Sequence, residues 1–410
     1  MCFNLNHSED SYYCDMAYKL RSSVDCSACK DMELCADCYG CGSCYWSSNL
    51  VQCSNVSNGQ FCFDCHACSD VILCWNLRNK QYCVRNQQLS KEAFLAEKER
   101  LSCSKRTVRE QAEAELRSHM QEDAIHRFAN MLNCEDCTGD NLIECRNCVD
   151  SFDILRGEDL TRVISVDNDA KCSMDVFGTW DGAELIYESM SATKYRVLFS
   201  FNVWESSEVY YSDASFSCEH IFGCSGLKRE KFCILNQRYS EQEYRALVKR
   251  LIEHMHSTGE WGEFFPVSYA PVAYNESVAR EYFPLSKAEV EAYGWRWQEP
   301  SARGQDGLSP RDFDDFVSIP ENISKLALCC NACGYNYRIT TAEAQLYNQL
   351  ELPLPAHCPD CRYDNRLAYR PPRKLWERGC GKCGAEIQTP YAPEQPEVVY
   401  CEGCYLERVF

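Results

Sequence analysis

The chain has 410 residues, 45% of them hydrophobic and 25% charged, with a formal net charge of −19. That length allows two to four domains with a sizeable core, no run approaches the ~20 consecutive apolar residues of a membrane helix, and the acidic balance argues against indiscriminate nucleic-acid or membrane binding while leaving room for a local basic patch. The unusual number is 32 cysteines. Met1 to Tyr13 is polar and acidic and lacks the charged and apolar regions of a secretory signal, so a cytoplasmic, reducing location is expected. There, clustered cysteines more often mean metal than disulfides, and isolated ones pack as small hydrophobes.

Cys2, Cys14, Cys26, Cys29, Cys35, Cys38, Cys41, Cys44, Cys53, Cys62, Cys65, Cys68, Cys74 and Cys83 all share one phase of three, with Leu50, Val56 and Val71 among the others in that phase. A strand alternates with period 2 and a helix with period 3.6, so a period of three fits neither. It fits a β-solenoid over residues 1–88, in which every third side chain turns inward. The spacing of Cys2, Cys14, Cys26 and Cys38 points to a small coil. Cys35, Cys38, Cys41 and Cys44 loosely match a ferredoxin pattern, but the last gap is wrong and the proline is absent, and the lattice already accounts for them.

Ser90 is a candidate N-cap for a long helix over 89–133, running to about Met131 with a sparse apolar line of Phe94, Leu101, Val108, Ala112, Leu116, Phe128 and Leu132. A second tract is expected over 134–238. Cys145, Cys148, Ser151, Ile154, Gly157, Leu160, Val163, Val166 and Cys172 hold one phase, and Leu185 with Val197 through Cys233 holds another, shifted by one. Such a slip implies a bulge or loop between coils. Cys134, Cys137, Cys145 and Cys148 form a CxxC-x7-CxxC run and a candidate third metal site. The segment Leu77 to Phe94 matches Leu227 to Tyr244 at a constant offset of 150, which reads as an internal duplication.

Within 239–325, Ser240 and Glu243 form a capping box for a helix with the stripe Tyr244, Leu247, Val248, Leu251 and Met255, stopped at Gly259. Both helices are expected to pack on the tract before them rather than to bind partners. His254 and His256 near its end are read as surface or packing residues. Trp261 to Arg311 is aromatic and proline-rich, with a capping box at Ser286 and Glu289, and reads as a strap or a peptide-binding surface. Ser301 to Pro310 reads as a mobile linker.

The strongest chemical signal lies in 326–378. Cys330 and Cys333, in CNACG, face Cys358 and Cys361, in HCPDC, and four thiolates suit tetrahedral Zn²⁺. Thr340 and Glu343 predict a short helix through Leu350 between them; Cys329 and His357 are adjacent alternative ligands. Residues 379–410 repeat the theme with Cys380, Cys383, Cys401 and Cys404. So short a module lacks a core of its own, so metal binding is expected to supply its folding energy. Two zinc ions are the expected cofactors, and the fold class is mainly β: duplicated solenoid tracts, each followed by a helix, plus two zinc-ribbon-like modules.

Between the quartets, Arg362, Arg366, Arg370, Arg373, Lys374 and Arg378 stand against Asp364 and Glu377, with Tyr363, Tyr369 and Trp376 interleaved. Residues 362–378 are therefore a candidate nucleic-acid surface, through phosphate contacts and stacking. The alternative is a solvated linker, or a strip docked on the acidic solenoid.

The CxxCG step, the aromatic-x-Ile-Thr step, the helix with Glu343 and Tyr347, LPLP and CPDCR make Cys330 to Arg362 resemble a small bacterial zinc-binding domain. CGKCGAEIQTPYAP and VVYCEGCY look like a companion CxxC finger. With CTGDNLIECRNC, CSGLKREKFCILNQRYS, GEWGEFFP and RKLWERGCGKCG, nearly the whole chain resembles an uncharacterised cysteine-rich family of candidate-phyla-radiation bacteria. The resemblance implies architecture and zinc, not a role. No HExxH, P-loop, GxSxG or dinucleotide fingerprint occurs. The first expectation is a non-enzymatic scaffold or adaptor binding an unknown macromolecule, with no membrane partner. The alternatives are a metal- or redox-handling protein using the cysteine-rich tract, and an enzyme of unrecognised type.

Overall fold

A computed structural model describes residues 11–14, 23–27, 36, 39–40, 47–102, 104–166, 169–179, 184–192, 195–299, 304–313, 315 and 319–410. The ferredoxin-like run Cys35, Cys38, Cys41 and Cys44 lies outside these, as do Cys2, Cys29 and Cys103. Strand residues outnumber helical ones.

The first tract stacks β1 (Ser48–Val51), β2 (Ser57–Phe63), β3 (Ser69–Trp75) and β4 (Gln81–Val84) in parallel. The register is twelve residues per step, as in Ser48↔Gln60, Gly59↔Val71 and Val71↔Cys83. Bridges Tyr12↔Val24, Val24↔Ala36 and Ala36↔Ser48 carry the same step toward the N-terminus. β5 (Gln87–Gln88) turns back antiparallel to β4 and ends the ladder.

The backbone explains the period of three. The residue before each inward side chain has φ near +50°, among them Asn49, Asn55, Asn58, Asp64, Asp70 and Asn76. Left-handed φ is costly for most L-residues and cheapest for Gly, Asn and Asp, which can bond locally. Each left-handed residue turns the chain, and the next side chain points inside. Cys14, Cys26, Cys53, Cys62, Cys65, Cys68, Cys74 and Cys83 are all buried there with Leu50, Val56 and Val71. Their thiols donate to the carbonyl two residues back, for example Cys53 to Val51 O (3.3 Å) and Cys74 to Ile72 O (3.2 Å). Every described cysteine in the chain is free of disulfides.

The second tract runs from β7 (Met131–Leu132), after β6 (Ile125–Arg127), through β8 (Gly139–Ile143), β9 (Arg146–Val149), β10 (Ser151–Leu155), β11 (Glu158–Val166), β12 (Lys171–Thr179), β13 (Glu184–Ala192), β14 (Tyr195–Leu198), β15 (Ser207–Tyr210), β16 (Glu219–Phe222) and β17 (Lys231–Ile234) to β18 (Gln237–Arg238). Several of its inward positions use serine where the first tract uses cysteine, beside Cys145, Cys148, Cys218, Cys224 and Cys233. Ser200, Ser206 and Ser212 donate to Leu198 O, Trp204 O and Tyr210 O, each two residues back. They also accept from the backbone N–H twelve residues on, at Ser212, Cys218 and Cys224. Cys65→Ser is therefore expected to cost only about 1 kcal/mol in urea titrations, whereas Cys65→Leu overfills the interior and costs at least 1–3 kcal/mol. Equal losses would contradict this account of the interior.

The slip in phase is real but lies elsewhere than the spacing suggests. Register is thirteen at Leu160↔Ser173 and again at Ser173↔Ile186, then eleven at Ile186↔Val197. Ser173 and Ile186 thus turn inward, while Cys172 is exposed and Leu185 is 46% exposed. Counting in threes places both in the interior because it runs across the inserted residues.

The long helix is also corrected. α1 (Lys91–Arg100) is capped by Ser90, whose Oγ accepts from Ala93 N at 3.2 Å. It ends at Leu101, and α2 (Arg106–Glu122) begins after the Ser-Cys-Ser stretch. Serines compete for backbone hydrogen bonds and favour breaks. Beyond α2 the chain becomes β6, not helix. Phe94, Leu101, Ala112 and Leu116 pack on Phe61 and Leu73 of the first tract. Full burial of such side chains contributes roughly 1.5–3 kcal/mol each.

α3 (Glu241–Thr258) has its capping box at Ser240 and Glu243 and stops at Gly259 (φ +74°). Tyr244 and Val248 cover Tyr210, Phe222 and Ile234. The elements closing the two tracts correspond at an offset of 150: β4, β5 and α1 start at 81, 87 and 91, and β17, β18 and α3 at 231, 237 and 241. In the strap, α4 (Ala279–Tyr282) precedes α5 (Lys287–Ala292), which begins at the Ser286 and Glu289 box. Trp261 lies among Phe199, Tyr210 and Tyr211 of the second tract. Part of the supposed linker is anchored instead. Leu308 exchanges backbone hydrogen bonds with Ala327 and Cys329 (2.8 Å each), and Asn336 N donates to Gly304 O at 2.7 Å.

Candidate metal centres

Two cysteine quartets converge. In each of the sets Cys330, Cys333, Cys358, Cys361 and Cys380, Cys383, Cys401, Cys404, one sulfur from every member lies within 4.8 Å of all the others. Cys333 Sγ and Cys358 Sγ are 3.8 Å apart, and Cys383 Sγ and Cys401 Sγ 3.7 Å. A tetrahedron with metal–sulfur bonds of about 2.3 Å has edges of about 3.8 Å. A disulfide would need about 2.0 Å.

Each quartet joins one turn to one helix. In the first, β19 (Leu328–Cys329) and β20 (Asn336–Tyr337) flank the Cys330–Cys333 turn, followed by α6 (Thr341–Gln349) and α7 (Pro359–Leu367). In the second, β21 (Trp376–Gly379) and β22 (Glu386–Thr389) flank the Cys380–Cys383 turn, followed by β23 (Val398–Tyr400) and α8 (Glu402–Val409). The turns match atom for atom. Gly334 and Gly384, at φ +75° and +74°, donate to Cys330 O and Cys380 O at 2.9 Å. Asn331 N and Gly381 N reach Ala356 O and Val399 O, each two residues before the next cysteine.

The second pair differs from a zinc ribbon, where both pairs sit on turns. Cys358 and Cys401 are helix N-caps, and Cys361 and Cys404 stand in the first turns of α7 and α8. Unpaired N–H groups and the helix dipole make that position favourable for thiolates. Cys358 N donates to Cys330 Sγ at 3.2 Å, and Cys401 N to Cys380 Sγ at 3.3 Å. Burial alone would raise the Cys330 thiol, but backbone N–H groups of Cys333, Cys358 and Ala332 bring it down to about 7. The same balance, with Cys383, Cys401 and Lys382, brings Cys380 down to about 6. Burial and the neighbouring thiolate push Cys358 up to about 11. Four thiolates at this spacing would repel one another without a cation between them, and both donor sets suit one.

Cys329 is turned away, its Sγ donating to Gly334 O at 3.2 Å, and His357 lies outside the quartet. Among the described residues, Cys134, Cys137, Cys145 and Cys148 do not converge in this way. Cys145 and Cys148 face the interior of the second tract. The two quartets also differ in exposure. Cys330 and Cys358 are buried, whereas Cys383 is exposed. A competing chelator is expected to strip the second centre first, in two resolved phases of metal release. A single phase would contradict this.

The six basic residues lie inward more than outward. Arg362 pairs with Asp25 and donates to Tyr347 Oη (2.7 Å), and Arg366 meets Asp25 Oδ1 at 2.9 Å. Arg370 and Arg373 both pair with Asp153, and Arg373 lies 3.6 Å from the Tyr282 ring centroid. Arg378 donates to Ala392 O and Glu397 O, and Lys374 stands 5.1 Å from the Trp376 ring. Arg362, Arg366 and Arg373 are under a tenth exposed. The sequence reading missed their carboxylate partners. Asp25 and Asp153 occupy left-handed corners, at φ +56° and +58°, and Asp at that phase was the available signal.

The fold and the centres define a mainly β chain with two four-cysteine groups able to hold metal ions. No family model matches it, and no curated protein does. No helix of the described residues is long and apolar enough to cross a membrane.

Proposed function

We propose that the protein is a zinc-dependent, non-enzymatic scaffold. In this reading the two tracts wind as duplicated β-solenoids and the C-terminal modules each hold one Zn²⁺. The observation that carries it is the convergence of four sulfurs in each quartet, at a spacing compatible with a tetrahedral metal. A four-thiolate set also suits iron, so metal identity is the point at issue. The free thiols of the interior favour a reducing, cytoplasmic setting, and the resemblance to the cysteine-rich candidate-phyla-radiation family favours the same architecture.

The partner is proposed to be a macromolecule met on the exterior of the tracts or strap. The nucleic-acid version through residues 362–378 draws less support, because four of its arginines are paired with Asp25 and Asp153. Metal analysis of the full chain, purified anaerobically, tests the proposal. Two zinc ions per chain are expected. Iron with visible absorbance would replace zinc, and a count well above two would favour a metal store in the first tract.

A further inference from the structure

The two metal modules touch the first tract in a way their own chemistry does not require. In both, the residue directly after the fourth cysteine is a docking residue. Arg362 follows Cys361 and reaches Asp25, and Tyr405 follows Cys404 and donates to Asp64. Both carboxylates stand on left-handed corners of the first tract, at φ +56° and +49°.

The surroundings make each contact a closed network. Asp25 is 4% exposed and receives Arg362 and Arg366, whose side chains are 7% and 6% exposed. Arg362 also faces Glu343, fully buried at the capping box of α6, and Tyr13 Oη donates to that same carboxylate at 3.2 Å. At the other contact, Arg78 binds Asp64 and donates to Tyr405 Oη at 2.6 Å, and Asn76 donates to Asp64 at 2.6 Å. Glu402, directly after Cys401, pairs with Arg127 of β6. β23 then extends β6 in parallel, with Val398↔Ile125 and Tyr400↔Arg127.

We infer that metal occupancy of each C-terminal centre is coupled to the docking of its module on the first tract, so that the chain carries a metal-operated latch. This rests on the metal reading above. Cysteines at the cap and in the first turn hold each helix start, and that start fixes where the next side chain lies. Without metal the first turns of α7 and α8 lose their anchor, and Arg362 and Tyr405 no longer meet their carboxylates. A buried charge network breaks as a unit, since one missing partner leaves the others uncompensated. Loss of metal therefore frees the Asp25 and Asp64 corners to water. By linkage, docking must in turn tighten metal binding.

That reciprocity supplies the test. In the full chain, Asp25→Asn and Tyr405→Phe leave every cysteine in place, and asparagine suits the left-handed corner as well as aspartate. Zinc affinity is measured by chelator competition, alongside hydrogen exchange of peptides covering residues 23–27 and 60–66. Asp25→Asn is expected to weaken the first centre about tenfold and spare the second; Tyr405→Phe is expected to do the reverse, about fivefold. Stripping the wild-type protein should deprotect both peptides. Two bound zinc ions with affinities indifferent to both variants would overturn the latch alone. Unchanged exchange after stripping would do the same. A chain that takes up no zinc would overturn the metal reading beneath it.

Discussion

Cys358→Ala is expected to lower the bound metal from two ions per chain to one and to unfold residues 328–367 while the tracts stay ordered. Cys358 is both a ligand and the N-cap of α7, and Cys358 N also donates to Cys330 Sγ. Besides the metal, its module is held by a small buried cluster continuous with the first tract and by the Arg362 and Arg366 pairs to Asp25. The core between α6 and the turn is Leu346, Tyr347, Leu352 and Leu354, packed on Ile339 and Tyr337. Structural zinc in small modules contributes about 10–16 kcal/mol of apparent binding energy at neutral pH. A three-thiol remnant keeps only part of that, so the loss is on the order of several kcal/mol. Metal analysis with hydrogen exchange of peptides in 328–367 reads the result. Cys329→Ala is the control: its thiol points at Gly334 O, so metal content should stay at two. Loss of metal in the control alone would reverse the ligand assignment.

Asp153→Ala has the next largest expected effect. The change leaves Arg370 and Arg373 without their shared carboxylate, in a site where Arg373 is 9% exposed. Removing one partner of a buried ion pair costs about 3–5 kcal/mol. Burial works to raise the Asp153 carboxyl, but the charges of Arg373 and Arg370 outweigh it and hold it below the usual range. A depressed carboxylate stabilises the fold fully above its unfolded pKa of about 4, and that stability fades as pH falls through the lower folded value. The deficit of the variant should therefore be largest at neutral pH and shrink in strong acid. Urea titrations at pH 7 and pH 3 compare the two. A deficit that is the same at both would mean that packing against Tyr282, not charge, holds this strip.

The sequence made some of this legible and hid the rest for physical reasons. The quartets were readable because metal geometry demands paired ligands at short spacing, and the capping boxes at Ser240, Ser286 and Thr340 because they are local. The period of three was readable because only one side chain in three can point inward. Counting failed at Cys172 and Leu185, since an inserted residue leaves no mark in composition. The break after Leu101 was signalled by Ser102 and Ser104, but the charged stretch that follows is itself a good helix, which masked it. Asp25 and Asp153 carry the corner phase, but nothing local ties them to arginines 337 and 220 residues away. A run of arginines looks the same whether it awaits phosphate or has already found carboxylates.

The twelve-residue step limits how such a chain can change over evolutionary time. Adding or deleting twelve residues within a tract inserts or removes one complete rung and returns every later side chain to its former face. Gaining or losing one residue exchanges inside for outside over everything downstream, unless one longer or shorter step takes it up locally. The thirteen, thirteen and eleven steps around β12 and β13 mark where the second tract already absorbs such errors. The β7–β8 step, eleven residues at Met131↔Leu142, is a second such place, so relatives of this protein should differ in length by whole rungs, with odd residues gathered at these places.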